Sequence, residues 1–504
     1  MKLLKSNEIR KLDELTIQKL YQGRSIDLME KAAGVFFRWM MEYKPKAYDK
    51  LAVLCGTGNN GGDGLAIARL SNPYFEKVSI ILCQISKPTP DNLTMLSILP
   101  PDIEIIHLTK GDSFRFSMEN TLLIDALFGN GFNRPLEGYW AELITEINKT
   151  VPCIYSIDIP SGMSSDDIPG DETVCIRAHR TLSFEMPKRS FLFPESESFV
   201  GDWNFHSIGL DAESWNQLES YALAISESMI CNFIKKRNMY SHKGTYGHTA
   251  ILAGNYGMAG AAILAANGAM RSGAGKVTCI TPEMCIAPIQ AQAPEVMCLP
   301  GCGSFFLDTL PEYKNFQAIG AGCGIGTQGK TKSILFNLLK EWKGRSLVLD
   351  ADALNIIAQE QWLDIIPNNS ILTPHPGEFK RLFGNYRNSE ERLEMQIMFS
   401  QKHRIYIIFK SAFSTLTTPM GKVFFNINGN AGMATAGCGD VLTGIIAGLL
   451  GQGYTPEQAA LTGLYVHGRA GDLASQKMGK ISMTAGDLVR NLPLAWSEIE
   501  SKLI

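Results

Sequence analysis

The stretch Gly56-Thr57-Gly58-Asn59-Asn60-Gly61-Gly62-Asp63-Gly64 constrains this chain more than any other. It follows an apolar run at 51–55 and precedes a helical pattern at 65–70. Strand, glycine loop and helix in that order suit a phosphate ligand. Glycines let the backbone come close, and helix N-terminal N–H groups face the anion. The spacing is neither G-x-G-x-x-G nor a Walker loop, because no Gly-Lys-Ser/Thr follows. Two asparagines and an aspartate add amide and carboxylate groups that a bare phosphate cradle does not need. The loop predicts a phosphorylated organic ligand with a polar group beside it.

The rest of the first half repeats the alternation. Apolar runs of about five residues, the length of strands buried on both faces of a parallel sheet, fall at 51–55, 78–83, 103–107, 122–127 and 153–157. A helical pattern at 140–147 lies between the last two. This predicts a doubly wound α/β domain with ligands beyond the carboxyl ends of the strands. The polar residues Asn59, Asn60, Asp125 and Asp158 fall at those ends. The pattern weakens around 211–235 and a second α/β alternation then begins at 249, with strands at 276–280, 318–320, 346–350, 371–373 and 404–409. Helices are expected at 259–271 and 333–342. We place one domain at 1–215 and a second at 225–504, because 504 residues exceed a single core.

Bulk properties exclude several classes. A net charge of −3 offers no field for nucleic acid or an anionic membrane. No apolar run reaches the roughly 18 residues that span a bilayer. The eleven cysteines lack C-x-x-C or zinc-type spacing, and Cys55 and Cys83 sit in apolar runs. A reducing, cytoplasmic compartment is expected.

Asp125 lies in Leu122-Leu123-Ile124-Asp125-Ala126-Leu127-Phe128-Gly129-Asn130-Gly131, and Asp158 in Asp158-Ile159-Pro160-Ser161-Gly162. Either could cap a turn. In three neighbouring strand–helix loops, however, they would converge on 56–64, where partial burial raises a carboxyl pKa and suits acid–base work. Together these motifs resemble the NAD(P)H-hydrate epimerase domain, a Rossmann-like fold. The resemblance implies that Asn59, Asn60, Gly61, Gly62 and Asp63 contact the damaged nicotinamide nucleotide. It implies the same for Gly129, Asn130, Gly131, Phe132, Asn133, Arg134 and Pro135, and for Asp158. It further implies a potassium ion held by Asn60, Asp125 and Ser161, with Asp125 the candidate for proton transfer.

In the second half, Asn428-Gly429-Asn430-Ala431-Gly432-Met433-Ala434-Thr435-Ala436-Gly437-Cys438-Gly439-Asp440 runs into an apolar helical stretch at 441–450. Glycines at a helix start make an anion hole. Asp440 could merely cap that helix, or it could take a proton from an attacking hydroxyl during phosphoryl transfer. The Gly-Cys-Gly-Asp element resembles the signature of ribokinase-like folds. Together with Thr373-Pro374-His375-Pro376-Gly377-Glu378, Gly320–326 and Leu349-Asp350-Ala351-Asp352, it is similar to the ADP/ATP-dependent NAD(P)H-hydrate dehydratase. The resemblance implies Asp440 as base and hydrate contact, Gly326 and His375 at the hydrate, and Gly439 at the nucleotide phosphates. Lys410, Ser411, Ala412, Phe413 and Ser414 would line the adenylate. Magnesium is expected with the nucleotide; Glu378 is one candidate ligand. His248 and His467 lack such context and read as structural.

The implied function is bifunctional repair. The first half would epimerise hydrated NADH and NADPH, and the second would dehydrate the S form at the expense of ADP, with ATP possible. The implied partners are these small molecules and, as in similar proteins, further copies of the chain. An ordinary small-molecule kinase in the second half, or a binding module in the first, are the rival readings.

Overall fold

The computed structural model describes every residue except 115–117, 133, 302, 343 and 504. The chain divides into two compact units, residues 2–221 and residues 222–504 with Met1.

In the first unit seven parallel strands lie in the order Glu104–Leu108, Lys77–Cys83, Lys50–Cys55, Thr121–Ala126, Ile154–Ile157, Arg180–Phe184 and Asp202–His206. The central strands are buried along almost their whole length because both sheet faces are covered. On one face Phe36 and Trp39 of helix Ser25–Tyr43 and Leu65 of helix Asn59–Ser71 join Val53 and Ile124. On the other, Leu143, Ile144 and Ile147 of helix Tyr139–Thr150 join Leu54 and Leu123. From Lys50–Cys55 the chain moves outward on one side, then returns to place Thr121–Ala126 on the other. That reversal is the switch point at which doubly wound sheets bind ligands.

The second unit is also built on one sheet. Its strands run Ala222–Ala224, Val423–Phe425, Thr415–Thr417, Tyr406–Phe409, Ile371–Leu372, Leu347–Leu349, Ala318–Ala321, His248–Leu252, Lys276–Thr281 and Met297–Pro300. All pairings are parallel except those of Thr415–Thr417, which runs antiparallel to both neighbours. The switch point lies between His248–Leu252 and Ala318–Ala321. Helix Cys438–Gly451 packs on Ala259–Arg271 through glycines: a Cβ at Gly444 would stand 1.9 Å from the Ala265 carbonyl oxygen, and one at Gly268 2.5 Å from that of Val441. Only glycine permits so close an approach of two backbones.

Two expectations need correction. The glycine stretches are not loops throughout: helices begin at Asn59 and Cys438, six and three residues earlier than the apolar patterns suggest. The reason is packing. A Cβ at Gly61 would meet the Gly56 carbonyl oxygen at 1.9 Å, and one at Gly64 the Ala126 Cβ at 2.5 Å. These glycines let the first helical turns lie against strand ends. The strands Arg180–Phe184 and Asp202–His206 escaped the search for apolar runs because they mix polar residues with apolar ones.

Candidate functional site

At the first switch point, Asp125 ends strand Thr121–Ala126 and is fully buried. Its Oδ1 accepts from Ser161 Oγ at 2.5 Å and Leu127 N at 3.3 Å. Its Oδ2 accepts from Ser156 Oγ at 2.8 Å and Ser161 N at 2.8 Å. Burial pushes its pKa up, against those hydrogen bonds. The Phe128 N–H donates to Ser161 Oγ at 2.8 Å, and Asn60 Nδ2 donates to the Phe128 carbonyl at 3.0 Å. Asn60, Asp125 and Ser161 therefore meet at one turn.

Gly129 follows directly, and a Cβ there would lie 3.0 Å from the Asn60 Cβ. The carbonyl of Gly129 accepts from Phe132 N, and the Phe128 and Phe132 rings lie 4.7 Å apart. Asn130 Oδ1 is buried and has no hydrogen-bond partner among the described residues, an acceptor available to a ligand. Gly131, Arg134 and Pro135 are exposed on the same turn, whereas Asn133 lies outside the described residues. Asn59, Gly61, Gly62 and Asp63 form the first turns of helix Asn59–Ser71. Burial raises the pKa of Asp63 well above the usual range, with Asp158, Asp13 and Asp91 adding to the effect.

Asp158 adopts a left-handed backbone, φ 63°, uncommon for a residue with a side chain. Its carboxylate accepts from Phe184 N at 2.9 Å and pairs at 2.5 Å with Lys188, whose side chain is 1% exposed. Sequence reasoning missed Lys188. A buried lysine needs a partner, and only the fold shows that Asp158 is that partner.

At the second switch point, Asp440 lies in the first turn of helix Cys438–Gly451, entered through Gly437 at φ 93°. Burial raises its pKa to about 6; contact with the Cys323 thiol opposes this, Asp350 adds to it, and Lys410 opposes it. Beside it, Lys410 Nζ donates to Asp350 Oδ1 at 2.7 Å, and Thr443 Oγ1 donates to Asp350 Oδ2 at 2.8 Å. Burial would lower the Lys410 pKa, but Asp350 and Glu378 more than offset it. A Cβ at Gly439 would lie 3.3 Å from Lys410 Nζ, so the lysine stands over the helix N-terminus. In the sequence Asp350 is one of two aspartates in a motif that gives neither a role, and Thr443 is hidden in an apolar helical run.

Gly326, φ 74°, donates its N–H to Asp352 Oδ2 at 2.8 Å. His375 caps helix Pro376–Phe383, its Nδ1 accepting from Gly377 N at 3.0 Å. Its Nε2 lies 3.2 Å from Glu378, while the side chain stays 49% exposed, open to a ligand. Burial lowers its pKa, with Lys410 and Arg381 adding to the effect, so the ring is neutral at pH 7. Ser411, Ala412, Phe413 and Ser414 form the turn joining Tyr406–Phe409 to Thr415–Thr417, with Ser411 and Ala412 exposed. His467 is half-buried with its Nε2 2.8 Å from the Cys438 carbonyl, and desolvation lowers its pKa to about 4. It steadies the helix start, as a structural histidine does. His248 meets Thr278 Oγ1 at 2.7 Å.

Residues 25–190 match the family described as YjeF-related protein N-terminus, and residues 249–494 match NAD(P)H-hydrate dehydratase. A bifunctional NAD(P)H-hydrate repair enzyme of Dictyoglomus turgidum is 31% identical, with 99% of each chain covered. Its counterpart from Moorella thermoacetica is 32% identical, covering 100% of this chain and 98% of that one. A ribokinase-like superfamily protein of Enterococcus faecalis aligns in structure with TM-score 0.50 and 26% identity, over 56% of this chain and 98% of its own. With a helix-capped switch point in each unit and full-length relatives of one kind, this chain belongs to the bifunctional NAD(P)H-hydrate repair enzymes.

Proposed function

We propose that the first unit interconverts the epimers of hydrated NADH and NADPH, and that the second dehydrates the S epimer using ADP, giving AMP and phosphate. The observation that carries the second half is Asp440: a carboxylate with a raised pKa at a helix N-terminus, beside the Lys410 ammonium. Hydroxide is a poor leaving group and phosphate a good one. Asp440 takes the proton of the ring hydroxyl as its oxygen attacks the terminal phosphoryl group. Lys410, Gly439 and the helix N-terminus stabilise charge on that group. The ring nitrogen then expels phosphate, forming a C=N⁺ bond, and the neighbouring ring carbon loses a proton to the departing phosphate or to water, which restores the dihydronicotinamide. Magnesium arriving on the nucleotide phosphates would neutralise further charge. Glu378 is a weak ligand candidate, since it already accepts from His375 N at 2.8 Å. The turn 411–414 lines the adenylate in this reading, and His375 and Gly326 flank the hydrate.

In the first unit, Asn60, Asp125 and Ser161 would hold potassium. The set fits: all its donors are oxygens, as a hard monovalent cation requires, and Asp125 contributes charge from a buried position. Such an ion would fix the turn that carries Gly129, Asn130, Gly131, Phe132, Arg134 and Pro135 against the substrate. Asp125 serves here as anchor and cation ligand. Four hydrogen bonds on two oxygens suit it poorly to carrying a proton. On the same reading the chain assembles with copies of itself and acts in the cytoplasm. Among the described residues no helix is long and apolar enough to cross a membrane.

The test mixes the protein with both NADH-hydrate epimers, magnesium and ADP or ATP, following dihydronicotinamide absorbance and phosphate release. Full conversion with ADP preferred is expected. Conversion stopping at one epimer's share would reduce the first unit to a binding module. A stable phosphoester would make the second an ordinary kinase.

A further inference from the structure

The matched family segment begins at residue 25, yet helix Ser6–Leu20 reaches the epimerase site. Ile9, Leu12 and Thr16 are its buried stripe. The flank beside them carries Ser6, Arg10 and Asp13, spaced four and three residues apart and therefore on one side of the helix. Ser6 Oγ donates to the Asn130 carbonyl at 3.2 Å. Arg10 Nη2 would lie 3.2 Å from a Cβ at Gly131. Two contacts thus dock this flank on the turn that the proposed function gives to the substrate, and Asp13 comes next along it.

We propose that Asp13 is the proton-transfer residue of the epimerase site, working beside the buried Asp158–Lys188 pair. The assignment rests on reading the first unit as an epimerase. Asp13 is half-buried, and among the described residues no group donates a hydrogen bond to its carboxyl. Asp125 is the opposite, fully buried with four donors. The charged groups facing Asp13 are Asp158 and Lys188 from the sheet edge, Glu185 before Lys188, Glu14 on its own helix and Asp63 at the start of Asn59–Ser71. Burial, followed by the negative field of Asp158, lifts its pKa to about 7 against the pull of Lys188, so near neutrality it both gives and takes a proton.

The step balances without a co-reactant. The Asp13 carboxyl gives its proton to the hydroxyl on the carbon beside the ring nitrogen. The C–O bond breaks, water leaves, and the nitrogen lone pair forms a C=N⁺ bond. Water then adds to either face of that carbon and returns a proton to the Asp13 carboxylate. The Asp158 carboxylate, fixed by Lys188 and facing Asp13, would stabilise the transient cation.

The experiment uses the full chain, the purified R epimer of hydrated NADH and no nucleotide, with the two epimers separated by chromatography. Asp13→Asn is expected to lower kcat for epimerisation by roughly 100-fold with KM and melting temperature unchanged. Asp13→Glu should restore part of the rate, and the decline of wild-type rate above about pH 7 should vanish in Asp13→Asn. A wild-type rate in Asp13→Asn, or a raised KM with kcat intact, would overturn the assignment. Absence of epimerisation in the unaltered protein would overturn the epimerase reading and this assignment together.

Discussion

The two units place a carboxylate at the same kind of position and treat it in opposite ways. Asp125 and Asp440 both sit at a switch point where a strand end meets a helix start. Asp125 is held by four donors, so its charge is fixed in place. Among the described residues the groups that chiefly oppose the rise of the Asp440 pKa are the Cys323 thiol and Lys410, and that pKa stands near 6. A carboxylate held by many donors is suited to binding and order; one left nearly bare is suited to exchanging a proton. In the second unit the saturated partner is a separate residue, Asp350, tied to Lys410, Thr443 and the Ala351 N–H. Each site thus pairs a fixed carboxylate with a free one: Asp125 with Asp13, and Asp350 with Asp440.

The largest expected effect comes from removing a free member of these pairs. Asp440→Asn should slow dehydration of the S epimer by about 10²- to 10⁴-fold, the usual range for losing a general base. Epimerisation, run without nucleotide, should be untouched. Equal loss of both activities would break the comparison, because the two carboxylates would then not serve separate reactions. Next is the buried pair of the first unit. Lys188→Met strands the Asp158 carboxylate and should destabilise that unit by about 3–5 kcal/mol in denaturant unfolding. Adding Asp158→Asn should recover part of the loss, since both charges are then gone. No recovery would mean that Lys188 matters for its packing alone.

Much of this was legible in the sequence, for a physical reason. Strands buried on both faces must be apolar throughout, so runs such as 51–55 and 122–127 mark them, and carboxylates just past their ends are conspicuous. The glycines were legible too, although their main work is to let helix starts at Asn59 and Cys438 press on strand ends. What could not be read depends on contacts far apart in the chain. Lys188 looks like any surface lysine until the fold buries it on Asp158. Asp13 sits in a charged helix, and the groups that face it arrive from residues 158, 185 and 188. Thr443 hides inside an apolar run, and short strands such as Thr415–Thr417 and Val423–Phe425 lack enough residues to show a period.

Thr443 tests the fixed member of the second pair. Thr443→Val removes a buried donor to a carboxylate with little change of shape, and should cost about 1.5–3 kcal/mol of unfolding free energy. If Asp350 positions Lys410, kcat for dehydration should fall as well. A stability loss with unchanged kcat would leave Asp350 a purely structural anchor.

The smallest effect is the one that sharpens the comparison most, because the two free carboxylates predict opposite pH limbs in one protein. As the base of the proposed dehydration, Asp440 must be ionised to take the first proton. Burial, which raises its pKa to about 6, therefore sets the acid limb: dehydration should fall by about tenfold per pH unit below 6. Asp13 must start protonated, and its pKa stands near 7, so epimerisation should fall as pH rises through that value. Between them lies a window, about pH 6 to 7, in which both reactions run and neither epimer accumulates. Profiles of kcat/KM for each reaction, measured separately on the same preparation, give both limbs. If both reactions decline on the same side of neutrality, the free carboxylates do not set the two rates, and the contrast between the units holds for their structure alone.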